Sequence, residues 1–147
     1  MSFVKTAYDI ARKKVFFCNV NDAIKDVANI LHTNNIGSIL VKDNNSVVGI
    51  ITVNDILRQV SKNKDMIKLK AKEIMSSPVI KVNKDLEIDE LAEEFKKHKV
   101  SRMVLIDDKS NIIGVVRDIA VFKYFSFFKY DEEARKKFGD LYSRELY

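Results

Sequence analysis

The sequence predicts an α+β fold made of two β-α-β-β-α repeats packed sheet to sheet with pseudo-twofold symmetry, followed by a C-terminal helical extension. Three observations carry this. The chain overlays itself when slid by 64 residues, so that Val15 falls on Val79, Asn19 on Asn83, Ile24 on Ile88, Ala28 on Ala92 and Asp43 on Asp107. The offset becomes 65 at Gly49, which falls on Gly114, so one residue is inserted in a turn between "DNNSVVG" and "DDKSNIIG". Each copy also alternates short apolar runs with helix-period segments, the signature of mixed strands and helices.

The elements follow in order. "VFFCNV" and "VIKV" are short strands. Ile24, Val27, Ala28 and Leu31 recur at i, i+3, i+4, i+7, as do Ile88, Leu91, Ala92 and Phe95, which predicts a helix in each copy. Asn21 and Asp85 are the expected N-caps. "SILV" and "VVGIIT" predict an antiparallel hairpin, as do "MVLI" and "IIGVV", with loops longer than the tightest type. A second helix closes each unit, with Val53, Ile56, Leu57 and Val60 on one face in the first copy and Ile119, Phe122 and Phe125 in the second. The expected domains are 1–66, the first repeat with its lead-in; 67–126, the second repeat; and 127–147, the extension. Residues 61–70, "SKNKDMIKLK", read as a solvated connection.

Composition limits the function classes. The chain has 147 residues, 46% of them hydrophobic, and a net charge of +5 with no long basic block. This permits an anionic ligand without arguing for nucleic acid. A single cysteine, Cys18, allows no intramolecular disulfide and fits a reducing compartment. No leader-like segment and no apolar run of membrane-spanning length is present, so the expectation is a cytoplasmic protein. No nucleophile–base arrangement, metal-ligand spacing or Walker-type loop is readable. The chain is expected not to be an enzyme and to need no cofactor or metal. His32 and His98 each end a predicted helix, where an imidazolium favours the dipole.

"VVGIITVNDIL", 47–57, admits two readings. Thr52 and Asp55 have the spacing of a capping box at a helix start. The same helix end offers free amides and a positive potential suited to phosphate, with Thr52 able to bond phosphate or ribose and Asp55 suited to ribose hydroxyls. In the second copy, Arg117 replaces Thr52 and Ala120 replaces Asp55, while Asp118 can still cap its helix. One intact site and one altered site, at Arg117 and Asp118, are therefore expected.

The ordered set of "KAKEIMSSPVIKV", "NNIGSILVKD", "HKVSRMVLID" and "VVGIITVNDIL" resembles a tandem pair of cystathionine-β-synthase-type (CBS) domains, a Bateman module, over about residues 4–125. The resemblance implies a regulatory module that senses an adenosine-containing ligand (AMP, ADP, ATP or S-adenosylmethionine) between repeats and signals to an effector protein. It also implies a homodimer. It implies a composite site: Asp55 on the ribose, Thr52 beside it, and the lead-in residues Met75, Ser77, Pro78, Val79 and Ile80 around the base. Ile50 and Ile51 would wall the pocket or simply be strand core. Arg102 occupies a position where the family often binds phosphate, with Ser101 beside it. The alternatives are an assembly module with a vestigial pocket, in which the aromatic tail from Phe122 onward serves as a contact surface, and, less favoured, a nucleic-acid-associated protein.

Overall fold

The computed structural model describes residues 6–128. All but the first two residues of the expected helical extension, 127–147, lie outside them. The described chain forms two compact units. One holds 15–79; the other holds 6–14 together with 80–128. The units therefore do not divide at 66/67, as sequence order suggested. Each lead-in belongs with the repeat it does not precede.

In the unit 15–79, β1 (Phe17–Asn19) lies parallel to β2 (Ser38–Asp43), and β2 is antiparallel to β3 (Ser46–Thr52). The crossover between β1 and β2 is helix α2 (Ile24–Thr33), and helix α3 (Val53–Ser61) follows β3. Alternation along the strands sends Ile39, Val41 and Ile51 into one core with Ile24, Val27, Leu31, Cys18 and Ile56. Asn44 and Asn45 alone connect the hairpin, a tighter turn than expected. Asn44 takes the left-handed conformation (φ 55°), which asparagine tolerates.

The unit of 6–14 and 80–128 repeats this plan. Its strands are β4 (Lys81–Asn83), β5 (Arg102–Ile106) and β6 (Ile112–Arg117), in the same order and directions. Its helices are α5 (Ile88–His98) and α6 (Asp118–Lys123), the latter running into a π-helical turn at Tyr124–Phe128. Ile88, Leu91, Phe95, Met103, Leu105 and Val116 form its core. Both hairpins slip register at equivalent places, Val41/Lys42 and Leu105/Ile106. The residue that changes the offset from 64 to 65 falls in the second hairpin's longer loop. There the Asp107 carboxylate accepts from the amides of Lys109 and Asn111 and from the Asn111 side chain, and these bonds hold its pKa below the usual value.

Two short helices explain the exchange of lead-ins. Helix α1 (Ala7–Ile10) donates the Ala7 amide to Leu86 O and the Tyr8 amide to Lys84 O, at 2.8 and 3.0 Å. Helix α4 (Ala71–Ile74) donates the Ala71 amide to Asp22 O and the Lys72 amide to Val20 O, at 2.9 and 3.0 Å. Leu86 and Lys84 are the repeat equivalents of Asp22 and Val20. Both short helices thus satisfy their first free amides on the loop that leads into a neighbouring long helix. Ala7, Ile10 and Ala11 are buried in the core around Leu91, and Ala71 in the core around Val27.

Three sequence expectations need correction. The residues at the N-caps of α2 and α5 are Ala23 and Glu87, with no side-chain cap, rather than Asn21 and Asp85. The first α2 amides go to backbone instead: Ile24 N to Leu69 O and Lys25 N to Met66 O. Residues 61–70 are therefore not only a solvated connection, since Met66 and Leu69 also pack against the core. Finally, α3 buries Ile56 but exposes Val53, Leu57 and Val60. On α6 the buried residues are Ala120 and Val121, and Ile119 and Phe122 are exposed.

Candidate functional site

The lead-in after α4 runs along β3. Ser76 N donates to Ile50 O at 2.9 Å, Ile50 N returns a bond to Ser76 O at 3.0 Å, and the Ser77 hydroxyl donates to Val48 O at 2.7 Å. Met75 lies over Gly49, where a Cβ would sit 2.5 Å from its sulfur. The missing side chain at Gly49 is what lets the lead-in approach. Thr52, Asp55, Ile50, Met75, Ser77, Pro78 and Val79 consequently share one unit. Pro78 is exposed and preceded by a cis peptide; Met75, Val79 and Ile50 are half-buried.

The strand register sorts these side chains by face. Ser38 pairs with Thr52, and Leu40 with Ile50. Residues directly opposite on an antiparallel pair share a face, so Ser38, Leu40, Ile50, Thr52 and the bridged Ser76 lie on the side away from the helix-packed core. Ile51 points the other way and is fully buried among Val27, Ile39 and Ile56. Its place is strand core, the plainer of its two sequence readings.

Thr52 and Asp55 form the reciprocal cap. The Asp55 amide donates to Thr52 Oγ1 at 3.2 Å, and the Thr52 amide donates to Asp55 Oδ2 at 2.8 Å. Asp55 Oδ1 faces the Arg58 guanidinium at 3.4 Å. The carboxylate is mostly shielded (13% exposed), while Arg58 is half-exposed. One carboxylate oxygen is thus committed to the backbone. The other has only a long, solvent-screened partner, worth little, and could accept hydroxyl protons from a ligand. Asp9 and Glu73 accept the amides of Thr6 and Lys70 in the same way. The acidic residue at the third helical position is therefore a recurrent structural device here.

Ile80, Ser101, Arg102, Arg117 and Asp118 belong to the other unit. Ile80 packs half-buried against its core. Ser101 is exposed and accepts the Asp118 amide through its backbone carbonyl at 2.9 Å. Arg102 and Arg117 are direct partners across β5 and β6. Asp118 turns its carboxylate onto its own helix, accepting from Ile119 N at 2.7 Å. Sequence reasoning missed Arg12. It forms a two-way backbone bridge with Val115, with both bonds at 3.0 Å. Burial, then the charge of Arg117, lowers its pKa. Only knowing that residues 6–14 dock on the second repeat would have found it.

Other candidate chemistry is quiet. Cys18 is buried, and desolvation together with Asp22 pushes its thiol up to about 11, which keeps it protonated and unreactive. His98 meets Glu94 at 3.1 Å on the same helix face. Among the described residues no metal-ligand cluster occurs, and no helix is long and apolar enough to cross a membrane.

Comparison with known proteins agrees with this architecture. The CBS domain family model matches twice, over residues 7–62 and 71–126. The chain is 31% identical over 118 residues to the uncharacterized protein MJ1232 of Methanocaldococcus jannaschii, spanning 80% of this chain and 38% of that protein. It is 31% identical to the inosine-5'-monophosphate dehydrogenase of the same organism, over 94% of this chain and 26% of the enzyme. The chain thus spans well under half the length of these two relatives. Among solved structures, the CBS domain pair of protein MJ0100, in complex with 5-methylthioadenosine and S-adenosyl-L-methionine, superposes with a TM-score of 0.69 at 29% identity, covering 82% of this chain and 95% of that one. With a family model matched over most of its length, and both copies showing the same strand order and register, the chain belongs to the CBS domain family and carries two copies in tandem.

Proposed function

We propose that the chain is a regulatory module that binds an adenosine-containing ligand at Asp55 and passes the change to an effector protein. The observation that carries this is the Asp55 carboxylate: Oδ2 is fixed by the Thr52 amide, while Oδ1 is held only by exposed Arg58. A ribose diol can displace Arg58 without breaking the cap. The complex of the MJ0100 pair with two adenosine derivatives supports this ligand class. Half-buried Ile50, Met75 and Val79, with Pro78, are the apolar groups offered to the base, and Ser77 is adjacent.

The test separates cap from ligand contact. Methylthioadenosine, S-adenosylmethionine, AMP, ADP and ATP are titrated while the melting temperature is followed. A ligand selective for the native state raises it. Asp55→Asn keeps a carbonyl for the Thr52 amide, so it should keep most of the ligand-free stability and lose the shift. Asp55→Ala should lose the shift and also cost about 1 kcal/mol of stability through the broken cap. Absence of a shift with every ligand in the wild type, or an undiminished shift in Asp55→Asn, would remove this reading.

A second observation favours self-association as part of the same function. Val53, Leu57 and Val60 form an exposed stripe on α3 (42, 58 and 51% exposed), and Phe122 on α6 is 66% exposed. Apolar stripes of this kind are covered by a partner more often than left wet. Sedimentation should show a homodimer that Leu57→Glu converts to monomer. A wild type that stays monomeric at all concentrations would exclude it.

A further inference from the structure

We infer that residues 62–72, together with Lys25, form a peripheral docking surface for an anionic lipid membrane. The segment contains a tight turn with one apolar side chain at its tip. The Asp65 carbonyl accepts the amides of Lys68 and Leu69 at 3.2 and 3.0 Å, and Asp65 Oδ1 accepts the Ile67 amide at 2.9 Å. Both flanks are tied to the start of α2, by the bonds from Lys25 N to Met66 O and from Ile24 N to Leu69 O, at 2.9 and 2.8 Å. Met66 and Leu69 pack against the core, and Ala71 is fully buried. Ile67 is left outward and 67% exposed, the most exposed large hydrophobic residue among those described. Its own backbone bonds and its inward-packed neighbours hold it out in water.

Lysines surround this tip. Lys62, Lys64, Lys68, Lys70 and Lys72 lie within five residues of Ile67 and are all exposed, and Asp65 is the single acidic residue among 62–72. Lys25, whose amide is bonded to Met66, adds another exposed ammonium. None of these lysines forms an ion pair among the described residues. The nearby carboxylates are spent on backbone: Asp65 on the Ile67 amide and Glu73 on the Lys70 amide at 2.6 Å. Asp26 follows Lys25 in the first turn of α2. Composition decides the occupant. Protein interfaces are depleted in Lys and enriched in Arg and aromatic residues, and single-stranded nucleic acid is held by aromatic stacking. Residues 62–72 contain neither an arginine nor an aromatic residue. A hydrated ammonium on a flexible stem suits a diffuse anionic surface, and polybasic segments are drawn to anionic lipid headgroups. The protruding Ile67 then enters the boundary between headgroups and acyl chains. The contact is peripheral, since among the described residues no helix is long and apolar enough to cross a membrane.

This surface is independent of the Asp55 site, and so is its test. Full-length protein at low ionic strength is mixed with vesicles of phosphatidylcholine alone, or of phosphatidylcholine with an equal part of phosphatidylglycerol, and cosedimentation is followed. The wild type should bind the phosphatidylglycerol vesicles, release with added salt and ignore phosphatidylcholine. Ile67→Ser should lose roughly tenfold in affinity. Lys64→Gln with Lys68→Gln should lose roughly thirtyfold. Lys96→Gln with Lys97→Gln removes the same charge from the exposed end of α5 and should leave binding nearly unchanged. All of these side chains are exposed, so the lipid-free melting temperatures should match the wild type, which excludes misfolding as the cause. The chain has no tryptophan, so Ile67→Trp places a lone reporter at the tip. Its emission should shift to the blue on phosphatidylglycerol vesicles as the side chain leaves water. No binding of the wild type to these vesicles, equal binding by the Lys64/Lys68 variant, or an unmoved emission in Ile67→Trp would each overturn the proposal. So would poly-L-glutamate or a single-stranded oligonucleotide that binds as tightly as the vesicles and is indifferent to Ile67→Ser, since the lysines would then attract any polyanion.

Discussion

Gly114→Ala is expected to destabilise the protein by about 1–3 kcal/mol, although the same substitution in an unobstructed strand would stabilise it by about 0.4–1 kcal/mol through the unfolded chain. Gly114 has no left-handed backbone to protect, so sterics decide the sign. A Cβ there would lie 2.7 Å from the carbonyl oxygen of Arg12. That carbonyl is fixed by the Val115 amide, so relief requires moving the bridge that docks the N-terminal lead-in. At the equivalent Gly49, a Cβ would meet Met75 at Sδ and Cγ, at 2.5 and 2.8 Å. A methionine side chain can swing aside. Gly49→Ala should therefore cost less, and Met75→Ala should recover part of that cost in the double variant. No side-chain truncation at Arg12 should rescue Gly114→Ala, because the obstacle is backbone. Chemical denaturation of the four variants checks the ordering. A Gly114→Ala protein as stable as wild type would mean the lead-in is not held against β6.

These two glycines mark the boundary of what the sequence could say. The repeat, the order of its elements along the chain and the inserted turn residue were all readable, because apolar periodicity is set locally. The buried stripes Ile24, Val27, Leu31 and Ile88, Leu91, Phe95 appear in the core as expected. What local sequence cannot encode is which copy a lead-in docks on. Nothing in "TAYDIA" states that the Ala7 amide will find Leu86 O, some 80 residues away. The N-cap errors share this origin. Ala23 is a poor cap by propensity, but the α2 amides are satisfied by Leu69 and Met66, so no side chain is needed. At Asp55 the capping box was readable and is present. The pairing of Arg12 with β6 was not readable, because its neighbours Val115 and Arg117 are distant in sequence.

Ile10→Ala should cost about 2–5 kcal/mol, and its effect should fall on the second repeat rather than the first. Ile10 is 1% exposed and packs in the core with Leu91, Phe95, Met103 and Leu105. Its truncation leaves a cavity among residues more than 80 positions away, while the core around Val27, Leu31 and Ile51 contains no residue of 6–14. Local stability follows such cooperative units. Native-state hydrogen exchange should therefore show faster exchange at the β5, β6 and α5 amides, with α2 and the β2–β3 hairpin much less affected. Ala71→Leu is the converse. Ala71 is fully buried in the first repeat's core, so overpacking there should loosen α2 and β2 first. If Ile10→Ala instead loosened residues 24–61, the lead-in would be docking on its own repeat in sequence order. The substitution thus tests the exchange of lead-ins on which the assignment of the two units depends.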